Sequence, residues 1–418
     1  MGSLFYKKGN TMSLNATPSG ERIHIGIFGK RNAGKSSLIN ALTGQNLAIV
    51  NEVKGTTTDP VSKAMELLPL GPVVIIDTPG IDDEGELGKL RIEKAYQVLN
   101  KTHIALLVVD ATTGLSDEDK ALWAKIEEKN LPGFIVFNKI ELVSEMQQAL
   151  LTLEALKLTK AIAFVSAEKK TNINDLKEKI AALTPKEKER VLVSDLINPL
   201  DVVILVTPID ESAPKGRMIL PQQQVMRDLI DHQAIVILVQ PNELIASIEK
   251  LQDKPKLVIT DSQAFGFVNK VLPKDILLTS FSILMARYKG NLEDAVKGVK
   301  LLHTLQDGDK VLISEGCTHH RQCNDIGSVK LPGWIKDYTG VNPEFSFTSG
   351  GEFPTDLSPY KLIIHCGACM LNEKEMLHRY NVAKNQNIPM TNYGIAIAQM
   401  HGILSRTVEP LPEIAKLL

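Results

Sequence analysis

Residues 29–36 read Gly29-Lys30-Arg31-Asn32-Ala33-Gly34-Lys35-Ser36, and this octapeptide sets the architecture of the first part of the chain. It has the form G-x-x-x-x-G-K-[ST] and follows an apolar run at 23–28 that predicts a buried strand. In such a loop, backbone N–H groups wrap a phosphate, the lysine brings positive charge to the β and γ oxygens, and the serine hydroxyl is placed for Mg²⁺. The predicted nucleotide-binding residues here are Gly29, Asn32, Ala33, Gly34, Lys35, Ser36 and Ser37.

Around this loop, from Arg22 to about Leu183, strand-sized apolar runs alternate with amphipathic helical stretches. This alternation is typical of a mostly parallel sheet covered by helices on both faces. The predicted strands are 23–28, 64–70, 73–76, 104–109, 134–137 and 161–165. The fold class is therefore α/β, and the first domain is a nucleotide-binding domain with a six-stranded, mostly parallel sheet.

Four further motifs lie at strand ends or between predicted elements. They are Gly55-Thr56-Thr57-Thr58-Asp59-Pro60, Asp77-Thr78-Pro79-Gly80, Asn138-Lys139-Ile140-Glu141 and Ser166-Ala167. With the phosphate loop they resemble, in order, the five motifs of the P-loop small GTPases, and Gly55-Thr56-Thr57 with Asn32 resembles the TrmE-Era branch. The resemblance implies that Ser36, Thr57 and Asp77 hold Mg²⁺, and that Asn32 holds a potassium ion (K⁺) that substitutes for an arginine finger.

The same resemblance assigns catalytic roles to Lys35, Asn32 and Thr57. It also implies nucleotide contacts from Thr56, Thr57, Asp77, Gly80, Asn138, Lys139, Glu141, Ser166 and Ala167.

Two positions depart from this pattern. The guanine-reading motif normally ends in Asp, and here it ends in Glu141. A carboxylate still accepts from guanine N1 and N2, but the extra methylene must be accommodated; the alternative is a solvated loop residue. Ile81 follows Gly80 where Gln or His would orient the attacking water, so we expect slow intrinsic hydrolysis and a switch-like role.

A charged break at 184–190 predicts a linker, which limits the GTPase domain with its N-terminal extension to 1–190. A small α/β domain at 191–275 follows, with strands at 201–206, 234–239 and 256–260. A unit of this size has little core of its own, so we expect it to self-associate as a homodimer. The third domain, 276–418, begins near Leu277, with helices at 284–288 and 292–305 and strands at 310–314 and 360–364.

Both strands of the third domain run directly into metal-ligand motifs. Residues 310–314 lead into Glu315-Gly316-Cys317-Thr318-His319, and residues 360–364 lead into His365-Cys366-Gly367-Ala368-Cys369. If the two strands lie parallel in one sheet, their carboxyl ends meet at the edge where α/β sheets bind ligands. We therefore expect Cys317 to lie close to Cys366 and Cys369.

Three interpretations of this cysteine set stay open on the residues alone. A structural zinc ion would take Cys317, Cys366, Cys369 and one histidine in a closed tetrahedron. An iron-sulfur cluster would take the three thiolates and leave one iron with a weaker or exchangeable ligand. Buried cysteines with satisfied histidines are the third interpretation, which the rarity of this spacing disfavours. Zinc and iron-sulfur both require soft thiolates, so ligand chemistry alone does not separate them.

In order, length and cysteine spacing, the whole chain resembles the HydF family of FeFe-hydrogenase maturation GTPases. The signature of that family is Cys-x-His, a long gap and His-Cys-x-x-Cys; Asp325-Ile326-Gly327 and the run at 82–88 match it as well. The resemblance implies a 4Fe-4S cluster on Cys317, Cys366 and Cys369, with His319, His365 or Glu315 as candidate fourth ligand. Cys323 is expected to be a bystander.

The resemblance further implies a GTP-hydrolysing scaffold that carries a diiron precursor. Two radical-SAM maturases would supply the precursor and apo-FeFe-hydrogenase would receive it, with the GTP or GDP state sensed by Thr57 and Gly80. Two alternatives remain. The chain could act as a GTPase in tRNA modification or ribosome assembly, or as a GTPase switch with a structural zinc site.

The composition narrows the choice of partners. A length of 418 residues, 44% of them hydrophobic and 23% charged, indicates an ordinary globular protein of two to three domains. The formal net charge of -2 disfavours a nucleic-acid partner. Apolar runs are strand-sized and the first residues lack a signal-peptide core, so we expect a cytoplasmic protein with no membrane partner. In a reducing compartment, the four cysteines indicate ligands or reactive thiols.

Overall fold

The computed structural model describes residues 17–44, 60–81, 85–184, 191–209, 218–316 and 326–418. These residues form two compact units, which divide after Lys186. The predictions made for Thr56, Thr57, Cys317, His319 and Cys323 lie outside the described residues. Within the described ranges, no helix is both long enough and apolar enough to cross a membrane.

The first unit is a sheet with helices between its strands. Its strands are β1 (Ile23–Phe28), β2 (Val61–Leu67), β3 (Gly71–Asp77), β4 (Ile104–Asp110), β5 (Gly133–Asn138) and β6 (Ile162–Phe164). Its helices are α1 (Lys35–Thr43), α2 (Gly85–Lys101), α3 (Asp117–Glu128), α4 (Glu145–Ala155) and α5 (Ile173–Ala182). The strand order is β2-β3-β1-β4-β5-β6, with β2 antiparallel to β3 and the other pairs parallel. The predicted six-stranded, mostly parallel α/β fold is confirmed.

Both faces of this sheet are buried, which explains why its parallel strands are almost wholly apolar. Successive side chains alternate between the faces. Ile75 packs in the cluster formed with α1 and α5, whereas Ile76 packs in the cluster formed with α2, α3 and α4. The second strand begins and ends three residues earlier than the predicted 64–70, because a turn occupies 68–70 and leaves Leu68 exposed.

The second unit contains two parallel four-stranded sheets. Its strands are β7 (Val202–Val206), β8 (Ile235–Val239), β9 (Leu257–Thr260), β10 (Leu277–Ser280), β11 (Lys310–Ser314), β12 (Glu344–Thr348), β13 (Leu362–His365) and β14 (Met390–Asn392). The strand orders are β10-β9-β7-β8 and β12-β11-β13-β14. Its helices are α6 (Leu220–Asp231), α7 (Leu244–Glu249), α8 (Phe265–Val271), α9 (Phe281–Tyr288), α10 (Leu292–Val299), α11 (Leu331–Thr339), α12 (Glu373–Asn385), α13 (Tyr393–Met400), α14 (Leu404–Val408) and α15 (Pro412–Ala415).

Residues 277–280 differ from the sequence-based expectation. From the sequence, Leu277 is expected near the start of the third domain, whereas in the structure residues 277–280 form β10, paired with β9. A four-residue run that leads straight into a helix carries no periodicity to identify it as a strand. The sheet that begins with β7 therefore extends to Ser280.

The two strands that precede the cysteine motifs lie side by side. β11 and β13 are parallel, and Ser314 is in register with His365. The expectation that both strands end at the same sheet edge is therefore confirmed.

Candidate nucleotide site and candidate metal centre

The phosphate loop connects β1 to α1, and glycines allow its path. Gly29 has a φ of 136° and Gly34 a φ of 89°, both in the region that favours glycine. A Cβ atom on Gly29 would lie 2.2 Å from the carbonyl oxygen of Val108, so the loop lies directly against β4. Lys35 is buried, and its Nζ donates to the carbonyl oxygens of Gly29 and Lys30 at 2.8 Å each. Its charge is thus held inside the curve of the loop.

Ser36 and Asp77 form a pair that fits Mg²⁺. The Ser36 hydroxyl donates to Oδ2 of Asp77 at 3.0 Å. The other carboxylate oxygen, Oδ1, is buried and has no hydrogen-bond partner within the described part of the chain. Burial raises the pKa of Asp77, and the nearby Lys35 charge opposes that rise. The hydroxyl and the unsatisfied carboxylate oxygen are ligands of the kind that Mg²⁺ binds together with phosphate and water oxygens.

Asn138 joins three of the predicted motifs. Its Nδ2 donates to the carbonyl oxygen of Ala33 at 3.1 Å, and its Oδ1 accepts from the backbone N–H of Ala167 at 3.0 Å. The neighbouring Ser166 Oγ accepts from the backbone N–H of Lys169 at 2.9 Å. The phosphate loop and the two base-site motifs are therefore held together, although Ala33 and Asn138 are separated by 105 positions.

The remaining nucleotide-site predictions lie around this core. Lys139 pairs with Asp110 at 2.6 Å, and Glu141 is exposed in the short turn that follows. Asn32 is exposed in the phosphate loop with a φ of 62°. Ile81 is buried in the apolar cluster formed with α2, α3 and α4, so its side chain is committed to packing.

Cys366 lies at the edge where β11 and β13 end. Its backbone N–H donates to the Ser314 carbonyl at 2.9 Å, which extends the strand pairing by one residue. Its sulfur accepts from the backbone N–H groups of Gly316 at 3.0 Å and Ala368 at 3.3 Å. Amide donors around a sulfur favour its thiolate form. Gly316 is the residue before Cys317 in the sequence, so the pairing brings the described start of the first motif, Glu315-Gly316, next to Cys366.

Gly316 meets a steric requirement at this point, since a Cβ atom there would lie 2.8 Å from Cγ of Leu371. Close to this loop, the buried Lys289 donates from Nζ to the Leu371 carbonyl at 3.0 Å. Burial raises the pKa of the Cys369 thiol, and the Lys289 charge acts in the opposite direction. Lys289 is a residue that the sequence analysis missed, because a lysine at a helix end is ordinarily a surface residue.

His365 is fully buried, and both of its ring nitrogens have partners. Nδ1 lies 2.9 Å from the Cys366 carbonyl oxygen and Nε2 lies 3.0 Å from Nη1 of Arg379. Arginine only donates, so Nε2 accepts and Nδ1 carries the proton. Burial, with the Arg379 charge, lowers the pKa of His365 to about 3, so the ring is neutral. His365 therefore links the Cys366 backbone to Arg379. The lone pair on Nε2, which could otherwise bind a metal, accepts the hydrogen bond from Arg379.

Arg379 is the centre of a buried polar network. Its Nε donates to Oε1 of Glu375 at 2.9 Å and its Nη2 to the Gly350 carbonyl at 2.9 Å. Its Nη1 also lies 3.4 Å from Oγ of Ser314. The guanidinium therefore links α12 to the ends of β11 and β13 and to the residues after β12. Its role is not evident from the sequence, because a Glu and an Arg four residues apart on a helix usually form an exposed pair.

Glu315 is the carboxylate among the candidate fourth ligands, and it lies within the described residues. It is buried, its Oε1 accepts from the Tyr393 hydroxyl at 3.2 Å, and its N–H donates to the Thr348 carbonyl at 3.0 Å. Within the described residues, no group of three His, Cys, Asp or Glu side chains is arranged to hold a metal ion. The described cysteines, Cys366 and Cys369, form no disulfide with each other.

Three family models match successive parts of the chain. They are the 50S ribosome-binding GTPase over residues 24–139, the Hydrogen maturase F dimerization domain over 192–290, and the Hydrogen maturase F tetramerization domain over 293–410. GTPase Der of Kosmotoga olearia is 30% identical over 219 residues, which are 50% of this chain and 48% of that protein. The tRNA modification GTPase MnmE of Desulforamulus reducens is 36% identical over 155 residues, 37% of this chain and 33% of that protein.

The chain thus spans about half or less of these curated relatives. Among solved structures, Era of Aquifex aeolicus matches with 22% identity and a TM-score of 0.36, over 52% of this chain and 92% of that one.

Fold and site together define a P-loop GTPase with further α/β domains after it; its first unit is a GTPase domain, a class that binds GTP or GDP with Mg²⁺. The two domains that follow match the dimerization and tetramerization domains of the same protein family, hydrogen maturase F. The chain belongs to the hydrogen maturase F family, and the family resemblance found in the sequence is confirmed.

Replacing Arg379 by Met should destabilise the second unit by about 3 kcal/mol, because it leaves Glu375 as an uncompensated buried charge. Hydrogen exchange of the peptide that spans β13, measured in increasing denaturant, reports this change. Arg227 is the matched control, since it forms an exposed pair with Asp231 at the same helical spacing. Arg227→Met should leave exchange unchanged. Equal exchange in the two variants would show that Arg379 does not stabilise the second unit.

Proposed function

We propose that the chain is a GTP-hydrolysing scaffold that holds a 4Fe-4S cluster on Cys317, Cys366 and Cys369 and carries the diiron subcluster of FeFe-hydrogenase. One observation carries the proposal. The parallel pairing of β11 with β13 brings the backbone nitrogen of Gly316, the residue before Cys317, to 3.0 Å from the Cys366 sulfur. Family membership adds the partners: two radical-SAM maturases as the source of the diiron unit and apo-FeFe-hydrogenase as its recipient.

The surroundings of the cysteine loop suit a thiolate-bound cluster. Thiolates carry negative charge, and amide hydrogen bonds to sulfur are among the features that set the potential of an iron-sulfur centre. Cys366 has two such bonds, while Lys289 and Arg379 are buried cations close to the loop. Because the His365 lone pair is used by Arg379, we favour Glu315 or His319 over His365 as the fourth ligand.

In the nucleotide site, the residues of this chain bind and orient the phosphates. Lys35 places its charge at the phosphate oxygens, and Ser36 and Asp77, with Thr57, would hold Mg²⁺. When bound, Mg²⁺ would neutralise the negative charge that develops on the transferred phosphoryl group. We assign Asn32 as a residue that holds the potassium ion.

The potassium assignment predicts that GTP turnover by the native chain is at least about tenfold faster in potassium than in sodium, because a fixed cation stabilises the transition state as an arginine finger does. Asn32→Gly should remove this preference without removing nucleotide binding, since glycine tolerates the φ of 62° at this position. Steady-state turnover in matched chloride salts is the measurement. Equal rates for the native chain in both salts would contradict the assignment.

The cluster assignment predicts that Cys366→Ser and Cys369→Ser, purified without oxygen, each lose most of the bound iron and the broad visible absorption. GTP turnover should stay within about twofold of native, because the altered side chains lie outside the GTPase unit. Cys323→Ser is the matched control and should keep the chromophore. Stoichiometric zinc with negligible iron in the native chain would instead identify a zinc switch, and salt-sensitive RNA retention without a chromophore would identify an RNA-directed GTPase.

The proposal also includes self-association through β8. This strand is at the edge of its sheet, and Ile235 and Leu238 are 47% and 48% exposed. An exposed apolar edge is a template for pairing with another chain. The match to a dimerization domain over 192–290 supports a homodimer, and the exposed edge leads us to place its contact at β8.

Accordingly, Ile235→Lys should raise the dissociation constant of this dimer by at least about tenfold, because a lysine on an edge strand opposes edge-to-edge pairing. Sedimentation velocity of the full chain over a range of concentrations measures the effect. Ile230→Lys, at an exposed apolar position on α6 of the same domain, should sediment as native. A variant at 235 that associates as the native chain does would place the dimer contact elsewhere.

A further inference from the structure

The outward face of α4 is apolar, which reverses the usual pattern of a surface helix. The exposed apolar side chains on α4 and at its two ends are Leu142 (64% exposed), Met146 (75%), Leu150 (57%), Leu153 (63%) and Leu156 (48%). Met146, Leu150 and Leu153 have the spacing of one helical face. In contrast, Ala155 is the fully buried residue of this helix. The helix thus has an apolar face that its own domain leaves exposed.

This stripe, residues 142–156, is long enough to be an interface. It extends for about 20 Å at the helical rise of 1.5 Å per residue. Single exposed apolar residues are ordinary, but a contiguous apolar patch on a soluble protein indicates a surface that another molecule covers. Covering five large apolar side chains is favourable in proportion to the area removed from water.

The charges around the stripe indicate which molecule covers it. Glu145 is exposed at the N-terminal end of the helix, and Lys157 and Lys160 are exposed just beyond its C-terminal end. Two copies of α4 packed antiparallel would bring the acidic end of each next to the basic end of the other. A parallel pair would instead bring like charges together.

The apolar positions have the same symmetry. In an antiparallel pair centred near residue 151, Met146 of one copy lies opposite Leu156 of the other, and the small Ala149 lies opposite Leu153. A twofold contact between identical chains requires a surface that is complementary to itself, and the charges at the two ends of this helix meet that requirement.

We propose that α4 is a twofold interface between two copies of this chain, packed antiparallel through residues 142–156. The apolar stripe provides the affinity, since exposed ion pairs contribute little. The end charges set the antiparallel orientation and disfavour the parallel one. This contact is separate from the one proposed at β8, because it belongs to the GTPase unit.

The test uses the full chain in the Ile235→Lys background, where the α4 contact is observed without the β8 contact. Sedimentation velocity should detect an association that depends on α4, in addition to any that the matched tetramerization domain at 293–410 contributes. Leu150→Lys should raise the dissociation constant of the α4-dependent association at least about tenfold, because a charge would replace a leucine that the proposed contact buries at its centre. Leu68→Lys, at a position 79% exposed on the turn after β2, is the matched control and should leave the equilibrium unchanged. Unaltered GTP turnover in every variant verifies that the domain is folded.

A charge exchange tests the orientation and does not depend on disrupting the stripe. Glu145→Lys alone, and Lys157→Glu with Lys160→Glu, should each weaken the dimer several-fold. Combining all three changes should restore native association, because opposite charges again meet across the twofold axis. The proposal is overturned if no α4-dependent dimer forms at any concentration. It is also overturned if the combined variant stays as weak as the separate ones, which would show that a different surface covers the stripe.

Discussion

The buried guanidinium of Arg379 is the interaction on which the cysteine site depends. A charge without solvent is tolerated only where its donors find acceptors. Here the acceptors are a carboxylate, a backbone carbonyl, a hydroxyl and an imidazole, and they come from α12, from the residues after β12, and from the ends of β11 and β13. These groups converge only when the strand ends are in this arrangement. Cys366, which follows β13, therefore projects from a rigid base.

The nucleotide site is built on the same plan. In the first unit Asn138, at the end of β5, binds the phosphate loop with one amide atom and the Ser166-Ala167 motif with the other. In both units a buried polar side chain at the carboxyl edge of a parallel sheet ties neighbouring loops together. Such an edge presents backbone groups from several strands in one place, which is why ligands of α/β proteins bind there.

Much of this could be predicted from sequence, because strands buried on both faces are continuous apolar runs and the motifs follow them directly. The pairing of β11 with β13 follows from that pattern. The strands β12 and β14 are not continuous apolar runs. Glu344–Thr348 has the polar–apolar alternation of a half-buried strand, which a search for fully buried strands passes over, and Met390–Asn392 has only three residues. The role of His365 could not be predicted from the sequence either. A histidine beside a cysteine suggests a ligand, and only the position of Arg379 shows that its ring nitrogen is already engaged.

The stripe on α4 shows a different limit of sequence patterns. Met146, Leu150 and Leu153 have the helical spacing by which sequence analysis assigns a face to the core, yet these residues point to solvent. Periodicity identifies an apolar face but does not say which molecule buries it. Within its own domain α4 is anchored mainly by Ala155 and by partly buried leucines such as Leu151 and Leu158. The stronger apolar face is therefore best explained as half of a core that a second copy of the chain completes.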